Sequence, residues 1–410
     1  MDRILGIIAE YNPFHNGHRY HLEESKRVTG CRRSICVMSG DFLQRGEPSI
    51  YDKWIRAEMA VRNGVDLVIE LPFAFACNNA EYFARGAVGI LDGLGCVTHI
   101  AFGSETGNAD KLKRAAATIA DEDREFTDIL KRELSTGVSY PKARYAAYRQ
   151  LHGEAAAEAL EEPNDILAIE YIRQCLLLGS GIEMTAVTRA GSAYADKAIT
   201  GPIASATAIR HKIINEGQPI ESIIQAVPAE TWGVLKKYNE IAPVGMDDFL
   251  EIILYKIISS PLSELKNIFS VAEGLENRLK KSTRHPKSNM RDLIKDIKTK
   301  RYTETRIQRI LMHTMIGLTK AGMDSILKEG SSLYARVLAM NENGSTILKE
   351  LKKIGCSKIP VITNINRDAP KYPAILELLA YDILASDIYN LARGADIYRH
   401  SDYVAKPFVL

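Results

Sequence analysis

The chain has 410 residues, of which 46% are hydrophobic and 25% are charged, and its formal net charge at pH 7 is +2. The length favours two domains, or one α/β domain with a large helical extension, and the composition excludes an intrinsically disordered chain. A charge this close to balance identifies no polyanionic partner, so local clusters of charge must decide.

The cysteines and the N-terminus narrow the class of protein. The six cysteines lie far apart with no C-x-x-C pair, which disfavours a zinc site and a disulfide framework. We interpret them as reduced thiols, mostly in the core. The apolar run at 4–9 is followed at once by Glu10, which is too short for a signal peptide, and no stretch approaches the roughly 18 apolar residues of a membrane helix. We therefore expect a soluble, cytoplasmic protein.

Short apolar runs alternate with helical patterns through the first part of the chain. The runs at 4–9, 34–38, 66–71 and 98–102 suit strands that are buried on both faces, and 51–63 and 80–94 have helical periodicity. This alternation predicts an α/β fold with a Rossmann-like, doubly wound parallel sheet. Residues 109–149 predict two or three helices and 164–179 another, which together make a helical insertion.

The pattern beyond the insertion predicts one more strand and then mostly helices. Residues 182–188 return to a β pattern, and 204–216 has helical character with Ser205 as a possible N-cap. We place the first domain at 1–218 and a second, mainly α-helical domain at 219–410, with helical periodicity in almost every segment to about residue 350. The segment 361–363 and the tyrosine-rich tail are candidates to return to the first domain.

The turn after the first strand carries the strongest chemical signal. It reads Glu10-Tyr11-Asn12-Pro13-Phe14-His15-Asn16-Gly17-His18-Arg19-Tyr20-His21. Proline and Asn-Gly force a turn, and helical character then runs from His18 to Gly30. The free N–H groups and positive dipole of a helix N-terminus form a phosphate site, which both His15 and His18 would face. Attack on a nucleoside α-phosphate needs positioning and charge stabilisation rather than a covalent nucleophile, so this equipment is sufficient. Either histidine alone would more simply satisfy a turn or cap.

This turn resembles the H-x-G-H signature of the nucleotidyltransferase superfamily, which the pantetheine-phosphate and nicotinate-mononucleotide adenylyltransferases and class I aminoacyl-tRNA synthetases share. That superfamily has a second phosphate-binding signature, I-S-S-T-x-x-R, which residues 203–210 resemble imperfectly. Ser205, Thr207 and Arg210 keep the hydroxyls and the guanidinium that would hold the β- and γ-phosphates. Ser205 would equally serve as an ordinary N-cap.

Two more loops would lie at the carboxyl ends of strands, where open α/β sheets bind ligands. In the segment 102–105, Gly103 suits close approach of the backbone to an adenine or ribose. In the segment 39–46, Asp41, Gln44 and Arg45 are candidate substrate-binding side chains. The alternative is that these loops are polar only because they are solvated.

Taken whole, the chain resembles the bacterial tRNA-Met cytidine acetate ligase family. The resemblance extends over most of the chain and rests on 10–18, 39–46, 163–167, Arg189 and 301–309. It implies that acetate attacks the α-phosphate of ATP to give acetyl-adenylate and pyrophosphate. The exocyclic amine of the wobble cytidine of elongator tRNA-Met then takes the acetyl group.

The resemblance and the two signatures together give the predicted site. We predict catalytic roles for His15, His18 and Asp41. The predicted ATP-binding residues are Ile8, Ala9, Glu10, Tyr11, Asn12, Pro13, Phe14, His15, Asn16, Gly17, His18, Arg19, Tyr20, His21, Gly103, Asn164, Arg189, Ser205, Thr207 and Arg210. Without the resemblance, Asn164 would be a helix cap and Arg189 a surface charge. Mg²⁺ is expected to accompany the ATP phosphates, although no protein ligands for it are evident.

A basic stretch at 276–309 fits the second substrate. It holds twelve basic side chains against four acidic ones, a local net charge of +8. Phosphate contacts of this kind dominate affinity for nucleic acids. We predict that tRNA binds Lys281, Arg284, Lys287, Arg291, Arg301 and Arg306, and that Tyr302, His285 or Asn289 contacts an unstacked anticodon base. The alternative is a solvated helix face.

Two rival functions are consistent with parts of the sequence. An adenylyltransferase that joins AMP to a phosphorylated metabolite would explain the first 218 residues but not a helical half with a basic face. A non-catalytic RNA-binding protein with a degenerate nucleotide fold would explain the basic face but would give the two histidines no role.

Overall fold

A single sheet organises the molecule in the computed structural model, which describes residues 2–120, 124–189, 201–328 and 333–410. The strands within these ranges are β1 (Ile4–Ala9), β2 (Arg33–Ser39), β3 (Leu67–Leu71), β4 (His99–Ser104), β5 (Glu183–Thr188), β6 (Ala335–Met340), β7 (Val361–Ile362) and β8 (Phe408–Val409). Their order across the sheet is β5-β4-β1-β2-β3-β6-β7, and β8 pairs with β6.

The strand order places a crevice at the end of β1. The strands β5, β4, β1, β2 and β3 are all parallel neighbours, and the chain leaves β1 toward β2 on one side and later toward β4 on the other. Order reversal of this kind is where doubly wound sheets bind ligands. The predicted doubly wound parallel sheet is confirmed, with β6 added antiparallel to β3.

Helices cover both faces of the sheet in the first part of the chain. They are α1 (Asn16–Thr29), α2 (Lys53–Arg62), α3 (Phe73–Ala76), α4 (Ala80–Gly93), α5 (Ala109–Ala120), α6 (Arg124–Ser135), α7 (Tyr140–His152), α8 (Glu154–Ala157), α9 (Pro163–Leu177) and α10 (Ala206–Arg210). The chain continues from α10 as a π-helix at His211–Asn215. The predicted helical insertion is confirmed as α5 to α9, between β4 and β5.

The second half is mainly helical, as predicted. Its helices are α11 (Ala229–Lys237), α12 (Leu250–Ser259), α13 (Leu262–Asn267), α14 (Leu275–Ser282), α15 (Met290–Ile297), α16 (Glu304–Ile316), α17 (Lys320–Lys328), α18 (Glu342–Ile354), α19 (Ile365–Asp368) and α20 (Leu376–Ala392). Short 3-10 turns occur at Glu158–Leu160, Ile220–Ile223, Met246–Phe249, Ala369–Lys371 and Pro373–Ile375.

The expectation of helix to about residue 350 is wrong at β6. The run Ala335–Met340 is buried along nearly its whole length and pairs with β3 and β8. A short apolar run has no period that distinguishes a buried strand from a buried helix. The segment 361–362 and the tail do return to the sheet, as β7 and β8. The domain boundary at 218 stays a prediction.

Alternate side chains of the parallel strands pack into two hydrophobic cores, one on each face of the sheet. Ile35 and Val37 of β2 pack on one face with α3, α4 and α9, whereas Cys36 and Met38 pack on the other face with α2 and α11. All six cysteines are free thiols, and five of them are buried. No helix within the described ranges combines the length and apolar composition needed to cross a membrane.

A buried cluster of four charges ties the tail to the sheet. Lys53 of α2 donates to Glu70 of β3 and to Asp402, at 2.7 Å each, and Arg336 of β6 donates to Asp402 at 2.6 Å and to Glu70 at 3.2 Å. Each of these side chains is at most 3% exposed. Buried charges persist only when they are paired and hydrogen-bonded, so the position of the tail depends on this cluster.

Candidate active site

The turn after β1 folds into a reciprocal cap on α1. His15 is the N-cap residue, and its Nδ1 accepts from the main-chain N–H of Gly17 at 3.0 Å. The main-chain N–H of His15 in turn donates to Nδ1 of His18 at 3.3 Å. The two rings stack with centroids 3.7 Å apart. Because both Nδ1 atoms accept, each neutral imidazole carries its proton on Nε2 and has that N–H to donate.

Both histidines are held neutral. Burial, with Arg189 and Arg210 adding to it, lowers the pKa of His15 to about 3. Burial also lowers the pKa of His18 well below its usual value, and His15 and Arg189 contribute. The two arginines therefore lie close enough to charge the same space. A site with neutral donors and nearby guanidinium groups favours an anion such as a polyphosphate.

Other residues of the turn hold its shape. Asn16 donates its side-chain amide to the carbonyls of Pro202 and Gln225, at 2.7 and 2.9 Å. A Cβ on Gly17 would lie 2.9 Å from Cε1 of His15, so only glycine leaves room for that ring. Asn16 and Gly17 therefore stabilise the conformation of the turn at the predicted site.

Asn12 joins this turn to the second signature. Its Oδ1 accepts from the main-chain N–H of Ile50 at 2.8 Å, and its carbonyl accepts from Arg210 at 3.3 Å. Its Nδ2 is buried and has no hydrogen-bond partner among the described residues. Ser205 caps α10, with Oγ accepting from the N–H of Ala208 at 3.0 Å. The structure thus brings Arg210 to the turn, while Ser205 has the N-cap role and Thr207 lies half-buried in the first turn of α10.

The ends of β4 and β5 approach the same crevice. A Cβ on Gly103 would lie 3.3 Å from Cγ of Arg189, and the main-chain N–H of Arg189 donates to the carbonyl of Ser104 at 3.2 Å. Arg189 also lowers the pKa of His21, after burial, to about 4. Arg189 therefore lies next to Gly103 and close to His15, His18 and His21. It is not an isolated surface charge.

Asn164 lies beside the end of β4. Helix α9 begins at Pro163 with Glu162 as its N-cap, so Asn164 lies inside the first turn and is not the cap. Its Nδ2 donates to Glu105 at 2.5 Å, and the following Asp165 accepts from Ser104 at 2.5 Å. These bonds fix the start of α9 against the end of β4.

Asp41 has structural partners on both carboxylate oxygens. They accept from the main-chain N–H of Lys53 at 2.8 Å and from the hydroxyl of Ser386 at 2.6 Å. The side chain is buried, and none of its hydrogen bonds within the described residues reaches His15 or His18. A catalytic role for Asp41 stays a prediction, and its observed contacts anchor the loop after β2.

The loop after β2 contacts both the turn and α16. Glu10 accepts from the main-chain N–H of Gln44 at 2.9 Å, and the carbonyl of Gln44 accepts from Arg309 at 3.2 Å. Gly46 has a φ of 79°, and a Cβ there would lie 2.3 Å from the main-chain nitrogen of Arg309. The loop after β2 therefore packs directly against the backbone of α16.

The remaining predicted ATP-binding residues divide into buried and exposed sets. Tyr11, Pro13 and Phe14 are buried, and Ile8 and Ala9 are half-buried at the end of β1. Arg19 and Tyr20 are exposed on α1. Arg19 forms an ion pair with Glu23 at 2.9 Å. The structure thus gathers the histidines and arginines and leaves Arg19 and Tyr20 facing solvent.

The basic stretch is less free than its charge suggested. Lys287 pairs with Asp296 at 2.6 Å and is only 4% exposed at its side chain, and Arg301 pairs with Glu273 at 2.9 Å. Lys281, Arg284 and Arg291 are exposed, and no ion pair in the described part of the chain engages them. Of the six predicted tRNA contacts, these three are therefore the ones whose charge is exposed and outside an ion pair in the described structure.

The expectation that Tyr302 stacks on a base is wrong. Its ring is 6% exposed, its hydroxyl donates to Glu273 at 2.6 Å, and the Arg306 guanidinium lies 4.6 Å from the ring centroid. Asn289 caps α15 by accepting from the N–H of Asp292 at 2.9 Å. His285 alone of the three is an exposed side chain without such a role in the described structure.

A large cavity lies beside the crevice, and no pattern in the sequence indicates it. It has a volume of about 590 Å³, lies between the helical insertion and α16, and is lined among others by Gln44, Arg45, Tyr140, Arg144, Asn164 and Arg309. Its residues come from segments far apart in the chain. The arginines of α7 and α9 were visible in the sequence, but nothing local there indicates that they share a cavity.

Comparisons with known proteins find relatives over almost the whole length of the chain. The family model described as HIGH Nucleotidyl Transferase matches residues 2–402. A tRNA(Met) cytidine acetate ligase of Caldanaerobacter subterraneus subsp. tengcongensis is 43% identical over 395 residues, which cover 95% of each chain. This chain belongs to the tRNA(Met) cytidine acetate ligase family.

Further members of that family agree in sequence and in structure. The ligase of Caldicellulosiruptor saccharolyticus is 44% identical over 392 residues, which cover 95% of this chain and 94% of that one. The crystal structure of Thermotoga maritima TmcAL bound with alpha-thio ATP has a TM-score of 0.91 at 33% identity and covers 100% of this chain and 99% of that one. The apo form of the same protein has a TM-score of 0.93. The nucleotidyltransferase fold predicted from the turn is confirmed.

Proposed function

We propose that this enzyme is an ATP-dependent ligase that acetylates a cytidine of tRNA-Met. In the first step a carboxylate oxygen of acetate attacks the α-phosphate of ATP, the bond to the β-phosphate oxygen breaks, and acetyl-adenylate and pyrophosphate result. In the second step the exocyclic amine of the wobble cytidine attacks the acetyl carbonyl. AMP leaves, the amine loses a proton, and acetylcytidine remains.

The observation that carries this proposal is the full-length likeness to ligases of that name, together with an intact histidine pair. The Nε2–H groups of His15 and His18 are neutral donors at the positive end of α1. They would stabilise the negative charge that develops on the α-phosphate oxygens, with Arg189 and Arg210 adding positive charge. The side-chain amide of Asn12, whose Nδ2 has no partner among the described residues, would be a further donor to the phosphates.

Mg²⁺ would enter with the phosphates of ATP. Among the described residues no three histidine, cysteine, aspartate or glutamate side chains converge on a point. The donor set fits an ion that is held by the phosphates and water, as Mg²⁺ commonly is. The cation would neutralise phosphate charge, while the protein residues position the α-phosphate.

The proposed acceptor is elongator tRNA-Met, and the proposed site of action is the cytoplasm. The exposed cations Lys281, Arg284 and Arg291 on and between α14 and α15 offer phosphate contacts. Such contacts position an RNA but do not read its sequence. The choice of cytidine therefore requires a separate site.

Exchange of labelled pyrophosphate into ATP tests the first step. Exchange by the purified chain with Mg²⁺ is measured in the presence of acetate, propionate, phosphopantetheine or nicotinate mononucleotide. Each substrate is tested with and without total tRNA. Exchange driven by acetate, followed by transfer of labelled acetate to tRNA, is the expected result. Exchange driven only by a phosphorylated metabolite would favour an adenylyltransferase, and tRNA binding without exchange or transfer would favour a non-catalytic RNA-binding protein.

A further inference from the structure

Two arginines in the first turns of α16 carry charge that the described chain does not neutralise. Arg306 and Arg309 are three positions apart, so their side chains leave the helix on the same face. Neither takes part in an ion pair within the described residues. Arg309 donates through Nη1 to the carbonyl of Gln44 at 3.2 Å, and its Nε and Nη2 have no acceptor there. The guanidinium of Arg306 lies 4.6 Å from the ring centroid of Tyr302 and forms no hydrogen bond with that part of the chain.

A third arginine lies beside these two. Arg45 belongs to the loop after β2, in which Gln44 accepts from Arg309 and Gly46 packs against the main chain of Arg309. Arg45 and Arg309 both line the cavity between the insertion and α16. Burial, with the charges of Arg306 and Arg45 adding to it, lowers the pKa of Arg309 to about 10. Three cations in one place repel one another, and an anion among them would relieve that repulsion.

The acidic side chains around this cluster of three arginines already have partners. Glu81 and Glu170 line the same cavity, and both pair with Arg173, at 3.0 and 3.3 Å. Glu273 pairs with Arg301 at 2.9 Å. The positive charge on α16 is therefore left for a group that these acids do not supply.

The start of α16 adds neutral donors to the same place. Thr303, the N-cap residue, and Thr305 line the cavity, and each carries a hydroxyl group. The first turn of the helix adds free N–H groups and the positive end of its dipole. Guanidinium groups, hydroxyls and helix N-termini are the groups with which proteins bind phosphate oxygens. The cluster therefore has the chemistry of a phosphate site.

This site is separate from the one that the turn after β1 offers to the phosphates of ATP. Besides burial, the charges that lower the pKa of His15 are those of Arg189 and Arg210, and those of Arg306 and Arg309 do not contribute. The cluster on α16 is thus too far from the histidine pair to serve the same phosphate group.

We propose that Arg306 and Arg309, with Arg45 beside them, bind a backbone phosphate of the RNA next to the acceptor cytidine. The loop after β2 joins the cluster to the turn, because the N–H of Gln44 donates to Glu10. On its other side α16 packs against α15, which carries exposed cations. An RNA strand that contacts those cations and also brings one nucleotide to the turn would cross the cluster. The inference rests on the proposed function and names the residues that would hold the RNA at the edge of the active site.

A paired change in protein and RNA tests this contact. Arg306→Gln removes a guanidinium that makes no hydrogen bond to the described chain. A neutral methylphosphonate replaces, one at a time, the phosphates on the two sides of the wobble cytidine in elongator tRNA-Met ligated from synthetic fragments. For one of these phosphates we expect each change alone to slow acetyl transfer roughly tenfold or more, and the two together to cost little more than one, because both remove the same contact. Losses that multiply at both phosphates, or unchanged transfer in Arg306→Gln, would overturn the inference.

Two variants of Arg309 distinguish its charge from its bond to Gln44. Arg309→Lys keeps a positive charge at this position, whereas Arg309→Gln removes it. We expect Arg309→Lys to retain several-fold more transfer than Arg309→Gln. Equal transfer by the two variants would mean that Arg309 only holds the loop after β2, and would overturn its assignment to the RNA.

Acetate-dependent exchange of pyrophosphate into ATP without tRNA separates the cluster from the first step. In Arg306→Gln the exchange rate and the KM values for acetate and pyrophosphate should stay within about twofold of the unmodified chain, which also shows that the variant folds. Arg149→Gln is the matched control, because it removes an exposed arginine that lies 5.8 Å from the ring centroid of Tyr145. It should leave both exchange and transfer unchanged.

A raised KM for acetate or pyrophosphate in Arg306→Gln would assign the cluster to acetate or to the phosphates of ATP and overturn the inference. Failure of the proposed function itself is distinguishable, because the unmodified chain would then show no acetate-driven exchange or no transfer to tRNA.

Discussion

The imidazoles of His15 and His18 stack at 3.7 Å between ring centroids, with 24° between their planes. Each ring uses Nδ1 to accept a main-chain N–H at the start of α1. The cap therefore fixes both the position and the tautomer of the two rings.

Changing His18 to alanine removes one of the two Nε2–H donors. We expect acetate-dependent pyrophosphate exchange to fall roughly 100- to 1000-fold, the usual effect of losing one donor to developing charge. Affinity for tRNA, measured by filter binding, should stay within about twofold. His211→Ala, on the π-helix after α10, is the control. Equal damage to exchange and to tRNA binding would mean that His18 is only structural.

The histidine pair should not titrate near neutral pH. The pKa of His15 is lowered to about 3 by burial first and by Arg189 and Arg210 second, and that of His18 is lowered in the same direction. Nitrogen-15 NMR of the rings should show neutral imidazoles from pH 8 to pH 5. A midpoint near pH 6.5 for either ring would contradict the buried, capped arrangement.

The same shifts affect stability in a definite direction. The folded-state pKa of His15 lies below the unfolded value of about 6.5, so the unfolded chain binds more protons between that pH and pH 3. The contribution of a neutral His15 is complete above about pH 6.5 and declines as the pH falls, by up to about 1.4 kcal/mol per pH unit. Comparing urea unfolding of the unmodified chain with His15→Asn at pH 7.5 and 5.5 checks the sign. A His15→Asn chain that loses as much stability as the unmodified chain would contradict it.

Gly46→Ala should separate the loop after β2 from α16. The new Cβ would lie 2.3 Å from the main-chain nitrogen of Arg309 at a φ of 79°. We expect a loss of about 2–5 kcal/mol in the free energy of unfolding, from overpacking and the left-handed conformation together. Gly217→Ala has a φ of 60° with nothing within 4 Å. That control should lose only about 1–2 kcal/mol. Equal losses of unfolding free energy in the two variants would mean that Gly46 does not pack closely against the backbone of α16.

Asp402→Asn should destabilise the fold although it lies in the tail. Burial opposes its ionisation, yet Arg336 and Lys53 lower the pKa of Asp402 to about 2. Removing its charge leaves two buried cations with one partner, which is expected to reduce the free energy of unfolding by about 3 kcal/mol or more. Glu23→Gln breaks only an exposed pair with Arg19 and should have little effect. Denaturant unfolding followed by circular dichroism measures both.

The triple change of Lys281, Arg284 and Arg291 to alanine should weaken tRNA binding and reduce its dependence on salt. Loss of phosphate contacts on this scale is expected to lower affinity roughly tenfold or more. Pyrophosphate exchange without tRNA should be unchanged. Lys349, Lys352 and Lys353 of α18 are exposed and give a control of equal charge. Equal weakening by both triple variants would show that net charge, and not this surface, binds the RNA.

The sequence alone determined the local chemistry of this protein. Several features depend on residues within a few positions of one another. They are the alternation of strands and helices, the possible cap roles of His15 and Ser205, the end of α1 at Gly30 and the family strings. Backbone hydrogen bonding and side-chain spacing over one turn are decided locally, so pattern predicts them. The antiparallel strand β6 was not predicted, because a short buried apolar run has no periodicity that distinguishes a strand from a helix.

The tertiary structure alone decided which distant groups meet. Lys53 and Asp402 are separated by 349 positions and form one buried pair, and the cavity takes walls from the insertion, the loop after β2 and α16. Tyr302 and Lys287 appear available in the sequence, but packing commits them to Glu273 and Asp296. Whether a residue is buried or paired depends on which distant residues the fold places beside it. The charge or aromaticity of a residue in the sequence does not predict those partners.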